Sequence, residues 1–405
     1  MNQNNIMKNN SIKQILTLRY DCALKKTMPE LKWEDYKIKN NYKNISDFVE
    51  ESITEVISDY TKNVKKVSIS LSSGIDSTLV ATILKKKFPD LEINSLSVTF
   101  SNSFDESPFA KKIAENLDLD HKIIYLENFL KELPSAISIV KKPFWDLHWY
   151  YIAKEAKSVS DDFFSGDGGD ELFGGYTFRY SKYLSLVSEN SSVEEKIRAY
   201  LSCHKRDWVP DQEKIFTSKL NFSWNEIYEV LEKFFDNELD LLDQVFLADF
   251  NGKLLYNMSP VYKEIHEHLG LSYVAPILNQ KLIGYSTHLD SRKKYNSETN
   301  QGKLPLIELC KKFKVDHLIS KKKRGFSIDT TNLWNDYGKE ISKYFLLDAR
   351  IVSDGWINAE WINKYIERKN LEVNYVNKFL GLLAYEIWYR IFITKEMRND
   401  EELDF

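Results

Sequence analysis

Val67-Ser68-Ile69-Ser70-Leu71-Ser72-Ser73-Gly74-Ile75-Asp76-Ser77-Thr78 is the stretch from which the fold is read. Val67, Ile69 and Leu71 alternate with serines, as in a strand packed closely on both faces. Leu79, Val80, Ile83 and Leu84 then recur at helical spacing. Between strand and helix stand Ser72, Ser73 and Gly74, small enough for backbone N–H groups to approach an anion. A strand, a small-residue turn and a helix N-terminus make a phosphate cradle. Asp76 would repel a phosphate there unless a divalent cation lay between them. The spacing and lysine of a Walker loop are absent.

Working outward, a helix is predicted over 45–60, with Ser46 as N-cap and Phe48, Val49, Ile53, Val56 and Ile57 on one face. Downstream, strands are predicted at 93–100, 121–126 and 162–165. Between them lie a helix opening at Asp105-Glu106-Ser107, with Phe109, Ala110, Ile113, Ala114 and Leu117 inward, and helices over 127–140 and near 147–157. Strands alternating with helices imply an α/β fold with a doubly wound parallel sheet. Right-handed crossovers place the loops after successive strands on one edge, where ligands bind. Beyond residue 176 the pattern turns mainly helical, with segments at 192–204, 225–237, 239–256, 303–314 and 374–395. Trp334, Trp356, Trp361 and Trp388 fall at helical positions suited to packing. The expected organisation is an extension over 1–45, an α/β core over 46–176 and a helical part over 177–405 that packs on the core.

The second information-rich stretch is Ser165-Gly166-Asp167-Gly168-Gly169-Asp170-Glu171-Leu172-Phe173-Gly174-Gly175-Tyr176. Its glycines permit tight backbone beside a ligand, and its apolar flanks argue against a solvated acidic turn. Carboxylates gathered at a buried site repel one another unless a cation is present. Mg²⁺ usually binds through one or two carboxylates plus substrate phosphates. Asp76 and Asp170 would make such a pair.

The bulk numbers narrow the classes. The chain has 405 residues, 43% of them hydrophobic, with net charge −4. That balance weighs against a dedicated nucleic-acid binder. Cys22, Cys203 and Cys310 lie far apart, which fits a reducing compartment and neither a disulfide framework nor a cysteine metal site. No apolar run approaches the roughly 18 residues of a membrane span, and the start Met1-Asn2-Gln3-Asn4-Asn5 has no signal-peptide core. A cytoplasmic protein is expected.

Both loops carry a family resemblance. Ser72 to Ser77 resembles the SGGxDS pyrophosphate loop of the N-type ATP pyrophosphatases (PP-loop superfamily, adenine-nucleotide α-hydrolase type fold). Ser165 to Tyr176 resembles the S-G-[ED]-G-x-D-E-x-F-G-G-Y motif of class B asparagine synthetase-type enzymes. Ser97-Val98-Thr99-Phe100 with Asp105-Glu106 is similar to the family's second strand, whose backbone receives adenine. His121, Gly302-Lys303 and Lys323-Arg324-Gly325-Phe326-Ser327 match later family segments. The similarity runs over roughly residues 46–395.

The resemblance implies ATP and Mg²⁺ as cofactors and an ATP-dependent, AMP-forming carbon–nitrogen ligase. A substrate carboxylate attacks the α-phosphate, and ammonia or another amine attacks the adenylate. By the same resemblance Ser72, Ser73, Gly74, Ser77 and Thr78 hold the pyrophosphate. Leu71, Val98, Ser165 and Gly166 belong to the nucleotide site, and Asp76 and Asp170 hold Mg²⁺. Lys323 stabilises the α-phosphate, although the run Lys321-Lys322-Lys323-Arg324 also suits a wet surface. Asp167 accepts a proton or steers the amine.

The chain also departs from the pattern. No N-terminal glutaminase domain fits residues 1–45, and residues 11–33 look like the family's inter-domain segment. Free ammonia, a separate glutaminase subunit or a different amine must then serve. The family's E-x-R-x-P-F-L-D segment appears as Ser272-Tyr273-Val274-Ala275-Pro276-Ile277-Leu278-Asn279, without its charges. Lys142 replaces the acidic residue often found before Pro143. Ser73 replaces a glycine, at a cost of about 1 kcal/mol if the backbone there needs positive φ. Aspartate is the default carboxylate, with lactam closure or amidation of another small-molecule or saccharide carboxylate as the alternative. An RNA-modifying PP-loop enzyme and a non-catalytic nucleotide-binding partner are the rival classes. A homodimer is compatible; membrane and nucleic-acid partners are not expected.

Overall fold

The computed structural model describes residues 9–100, 105, 107–320 and 329–404. Five parallel strands form one sheet in the order β3-β2-β1-β4-β5, with β1 Lys66–Ser70, β2 Glu92–Phe100, β3 Asp120–Leu126, β4 Asp162–Phe164 and β5 Ser272–Val274. The register sets Ser70 beside Leu96, and Ile69 beside Phe164. Winding runs outward from β1 through β2 to β3, then resumes on the other side of β1 at β4. The loops after β1 and β4 therefore diverge at the switch point, where such sheets bind ligands. The fifth strand was not read from the sequence. It comes from within the mainly helical part, and its three residues are too few to show a period.

Burial explains the layering. Helices α1 (Asn9–Leu18), α2 (Ile45–Thr61), α3 (Ile75–Lys87), α4 (Ser107–Asn116), α5 (Leu133–Val140) and α6 (His148–Val159) come in that order. Val67, Ile69 and Leu71 face α2, α3 and α4 in one apolar cluster. Leu96, Val98 and Phe163 face α5 and α6 in another. Each such side chain, fully buried, contributes roughly 1.5–3 kcal/mol. A third cluster, around Tyr180, Leu231, Phe234 and Phe246, holds the helices after residue 176. Ile12, Ile15 and Leu16 of α1 join the second cluster with the helix Val373–Tyr389. Buried Lys378 donates to the carbonyls of Leu16 and Asp207, so this early segment is built into the core.

Five local expectations are corrected. Asn44, in the left-handed region, and not Ser46 caps α2. Phe48 lies at the surface, stacked on Tyr285 with ring centroids 4.2 Å apart, because Val49, Ile53 and Ile57 already fill the buried face. Phe109 is exposed for the same reason beside Ala110, Ile113 and Ala114. The helix expected over 127–140 starts only at Leu133, with Pro134 in its first turn, where a missing N–H costs nothing. The helix expected over 239–256 bends at Gly252 (φ −90°, ψ −108°). Trp334, Trp361 and Trp388 are buried, as packing residues should be.

Candidate active site

The loop after β1 is tied by its own hydroxyls. Ser72 N–H donates to Ser77 Oγ at 3.1 Å, and Gly74 N–H donates to Ser72 Oγ at 3.1 Å. Thr78 Oγ1 donates to Gly74 O at 2.7 Å. Gly74 caps α3 with extended backbone, and the helix's first-turn amides follow at once, the donors a phosphate needs. Ser73 is absent from the positive-φ residues, so its side chain carries no backbone penalty. Ser72, Ser73, Gly74, Ser77 and Thr78 thus form one connected turn.

The loop after β4 lies directly on it. Gly166 sits over the Ser77 amide. Gly168 turns the chain at φ +95°, and a Cβ on Gly169 would collide with the Asp76 carboxylate, so only glycine permits this approach. The short helix α7 (Gly169–Phe173) then presents Asp170.

Asp76 and Asp170 converge on one cation of the chain itself. Lys303 Nζ pairs with Asp76 Oδ2 and, at 2.8 Å, with Asp170 Oδ1. Lys303 is 5% exposed. Burial works against its charge, yet Asp170 and Asp76 together hold the ammonium above its ordinary range. Its backbone, in the left-handed region, caps the helix Leu304–Lys312, and its N–H donates to Phe173 O at 2.8 Å. Two hard oxygen donors on one cationic point fit Mg²⁺. Among the described residues no third His, Cys, Asp or Glu joins them, so phosphate and water oxygens would complete the shell.

Asp167 is half-buried beside this pair. Its Oδ2 accepts from Tyr273 OH and, at 3.0 Å, from Ser165 Oγ. Burial raises its carboxyl above the ordinary range. The bonds from Tyr273 and Ser165 pull it down, and the charges of Asp76 and Asp170 add to the rise. Ser165 is 1% exposed, and its hydroxyl lies beside Asp167 and 2.8 Å from Tyr273 OH.

Other expected residues are placed less directly. Leu71 directly follows β1 and Val98 lies near the end of β2, and their side chains join apolar clusters on opposite faces of the sheet. His121 is held between Ser95 Oγ (2.8 Å) and Ser97 Oγ (3.1 Å), a structural seat on the edge strand. Lys323 and its neighbours lie outside the described residues. Ser320, the last described residue before them, donates its N–H to Ser73 O at 3.2 Å in the phosphate loop. Sequence reasoning missed two residues here. Lys303 stood only in a weak Gly-Lys match, and Tyr273 was an unremarked position in a segment noted for lost charges.

The chain is similar to several known proteins. A family model described as asparagine synthase matches residues 49–390. The chain is 22% identical over 391 residues to asparagine synthetase [glutamine-hydrolyzing] 1 of Bacillus subtilis, covering 87% of this chain and 60% of that protein. It is 35% identical over 75 residues to the NH(3)-dependent NAD(+) synthetase of Carboxydothermus hydrogenoformans, 18% of this chain and 30% of that one. The structure of NMN synthetase from Francisella tularensis aligns with 60% of this chain and 92% of its own, at 15% identity and TM-score 0.24. The chain spans about three fifths of the length of the Bacillus relative. The family match takes in both glycine loops, Lys303 and Tyr273, and the chain belongs to the asparagine synthase family.

Proposed function

We propose that the chain is an ATP-dependent ligase that adenylates a carboxylate, releases pyrophosphate, and then forms an amide with ammonia or another amine. The observation that carries this reading is the meeting of Asp76 and Asp170, from two loops at the sheet's switch point, on a single cationic position beside the phosphate turn.

The residues divide the work. Ser72, Gly74, Ser77 and Thr78 hold the leaving pyrophosphate through hydroxyls and first-turn amides. Asp76 and Asp170 would hold Mg²⁺, which, when bound, neutralises charge developing on the phosphates. The Lys303 ammonium competes with that cation for the two carboxylates. Lys323 is assigned to stabilise the α-phosphate electrostatically. Asp167 takes the proton that the amine gives up. Ammonia arrives free or from a separate glutaminase subunit.

Aspartate, giving asparagine, is the default substrate. One observation favours a second reading, a different small carboxylate. Val274, where the family carries a charge, is 3% exposed in the core beside β4 and offers nothing to a charged substrate. The test is substrate-dependent ATP–pyrophosphate exchange with Mg²⁺ over a panel of carboxylic acids that includes aspartate, with AMP release followed on adding ammonium. Exchange with one acid is expected, and Asp76→Ala or Asp170→Ala should abolish it. Exchange with tRNA and with no carboxylate would sink the ligase reading. A near-normal rate in either variant would refute the metal assignment.

A further inference from the structure

Tyr273 enters the site through strand pairing. It lies opposite Phe163 in the parallel register of β4 and β5. Phe163 and Ser165, two apart, share a face of the strand. A tyrosine on that face, pointing along the strand, carries its hydroxyl about two residues forward, to Ser165 and Asp167.

The ring is held from several directions. His266 lies 4.3 Å away between centroids, Trp149 5.7 Å edge-on, Phe163 6.2 Å and Tyr262 6.5 Å. Trp149 Nε1–H donates to His266 Nε2 at 2.9 Å and fixes that ring in turn. So much ordered packing behind one phenol is what holding a reactive group in place requires.

At the tip, three oxygens form a triangle: Tyr273 OH, Ser165 Oγ and Asp167 Oδ2. Two hydroxyl protons serve it, and both can point at the carboxylate. All bonds to the carboxylate from described residues fall on Oδ2, so Oδ1 is the oxygen left for a substrate.

We propose that Tyr273 is a positioning residue for amide formation: with Ser165 it fixes the Asp167 carboxylate so that Oδ1 takes the proton of the attacking amine. The proposal deepens the ligase reading and rests on it. In the step, the amine lone pair forms the C–N bond to the acyl carbon. The bond from that carbon to the AMP oxygen breaks, and its electron pair leaves with AMP. An N–H bond breaks and its proton moves to Oδ1, and the Tyr273 proton stays on its own oxygen.

The experiment compares two rates in the same protein: ATP–pyrophosphate exchange with the active carboxylate, and ammonium-dependent amide release. Tyr273→Phe keeps the ring and removes the hydroxyl. It should lower the ratio of amide release to exchange at least tenfold, with the loss in kcat of the amine-dependent step and not in the KM for ATP. In an Asp167→Asn background the same change should have no further effect on that ratio. An unchanged ratio in Tyr273→Phe, or effects that simply multiply in the double variant, would overturn the proposal. Should Tyr273→Phe fail to fold, Ser165→Ala removes the other donor and should lower the ratio in the same way; an unchanged ratio there overturns it equally. Absence of exchange in the unaltered protein with every carboxylate would instead remove the ligase reading beneath it.

Discussion

Replacing Lys303 with Met tests the electrostatics of the site directly. Met keeps most of the apolar stem and deletes the charge. Two carboxylates, Asp76 and Asp170, then lose the Lys303 ammonium that both contact. Removing one partner from a buried ion pair costs about 3–5 kcal/mol, because the remaining charge stays desolvated. Here the side chains of Asp76 and Asp170 are 16% and 24% exposed, so water relieves part of the strain and the lower end, about 3 kcal/mol, is expected. A divalent cation should restore much of this. A ligand at one hundred times its Kd stabilises by about 2.7 kcal/mol, and in the variant Mg²⁺ has no built-in ammonium to compete with. The assay is urea unfolding followed by tryptophan fluorescence, in EDTA and in saturating Mg²⁺. In EDTA the variant should unfold about 3 kcal/mol more easily, and Mg²⁺ should stabilise it more than the unaltered protein. Equal stabilities in EDTA, or an equal response to Mg²⁺, would falsify the picture of Lys303 as the cation that holds the two loops together.

Two more expectations concern residues on either side of this point. Lys323→Ala should still bind ATP, measured calorimetrically, while pyrophosphate exchange is lost; retained exchange would assign the α-phosphate to another group. His266 is a pH-sensitive element. Burial pushes its imidazole down to about 4, while an unfolded histidine titrates near 6.5. The unfolded chain therefore takes up the proton first. Stability is complete above about pH 6.5 and falls as pH drops toward 4, at about 1.4 kcal/mol per unit and about 3 kcal/mol in all. Urea midpoints of the parent and His266→Gln at several pH values should differ in slope by one proton, and identical slopes would count against a buried neutral His266.

The sequence made the switch point legible because its two loops are local. Strand, small-residue turn and helix follow one another within a dozen residues, and five glycines near Asp170 advertise close packing. Asp76 and Asp170 could be paired on charge alone, since two acids near a phosphate turn demand a cation. Lys303 could not. Its ammonium meets Asp76 across 227 positions of chain, and nothing local marks a lysine before a helix as buried. Tyr273 was hidden for a similar reason: its partner strand is three residues long, and its role comes from register with β4. Period-two register does show that Leu71 and Val98 face opposite sides, once Ser70 is known to pair with Leu96. Phe48 and Phe109 were misjudged because helical spacing marks a stripe and not its edges. Each sits one position outside a face already filled by aliphatic residues.

The late arrival of β5 has a consequence for biogenesis. Phe163 pairs with Tyr273, so closing that contact loops out roughly 110 residues, an entropy cost met before the contact gives anything back. As the ribosome makes the chain, β1 to β4 can assemble while β4 is still an open edge, with Phe163 and Phe164 beside it. Such an edge is a template for aggregation. Folding should therefore be slow relative to synthesis of the early strands, and nascent chains ending shortly before residue 272 should be the ones that chaperones hold longest.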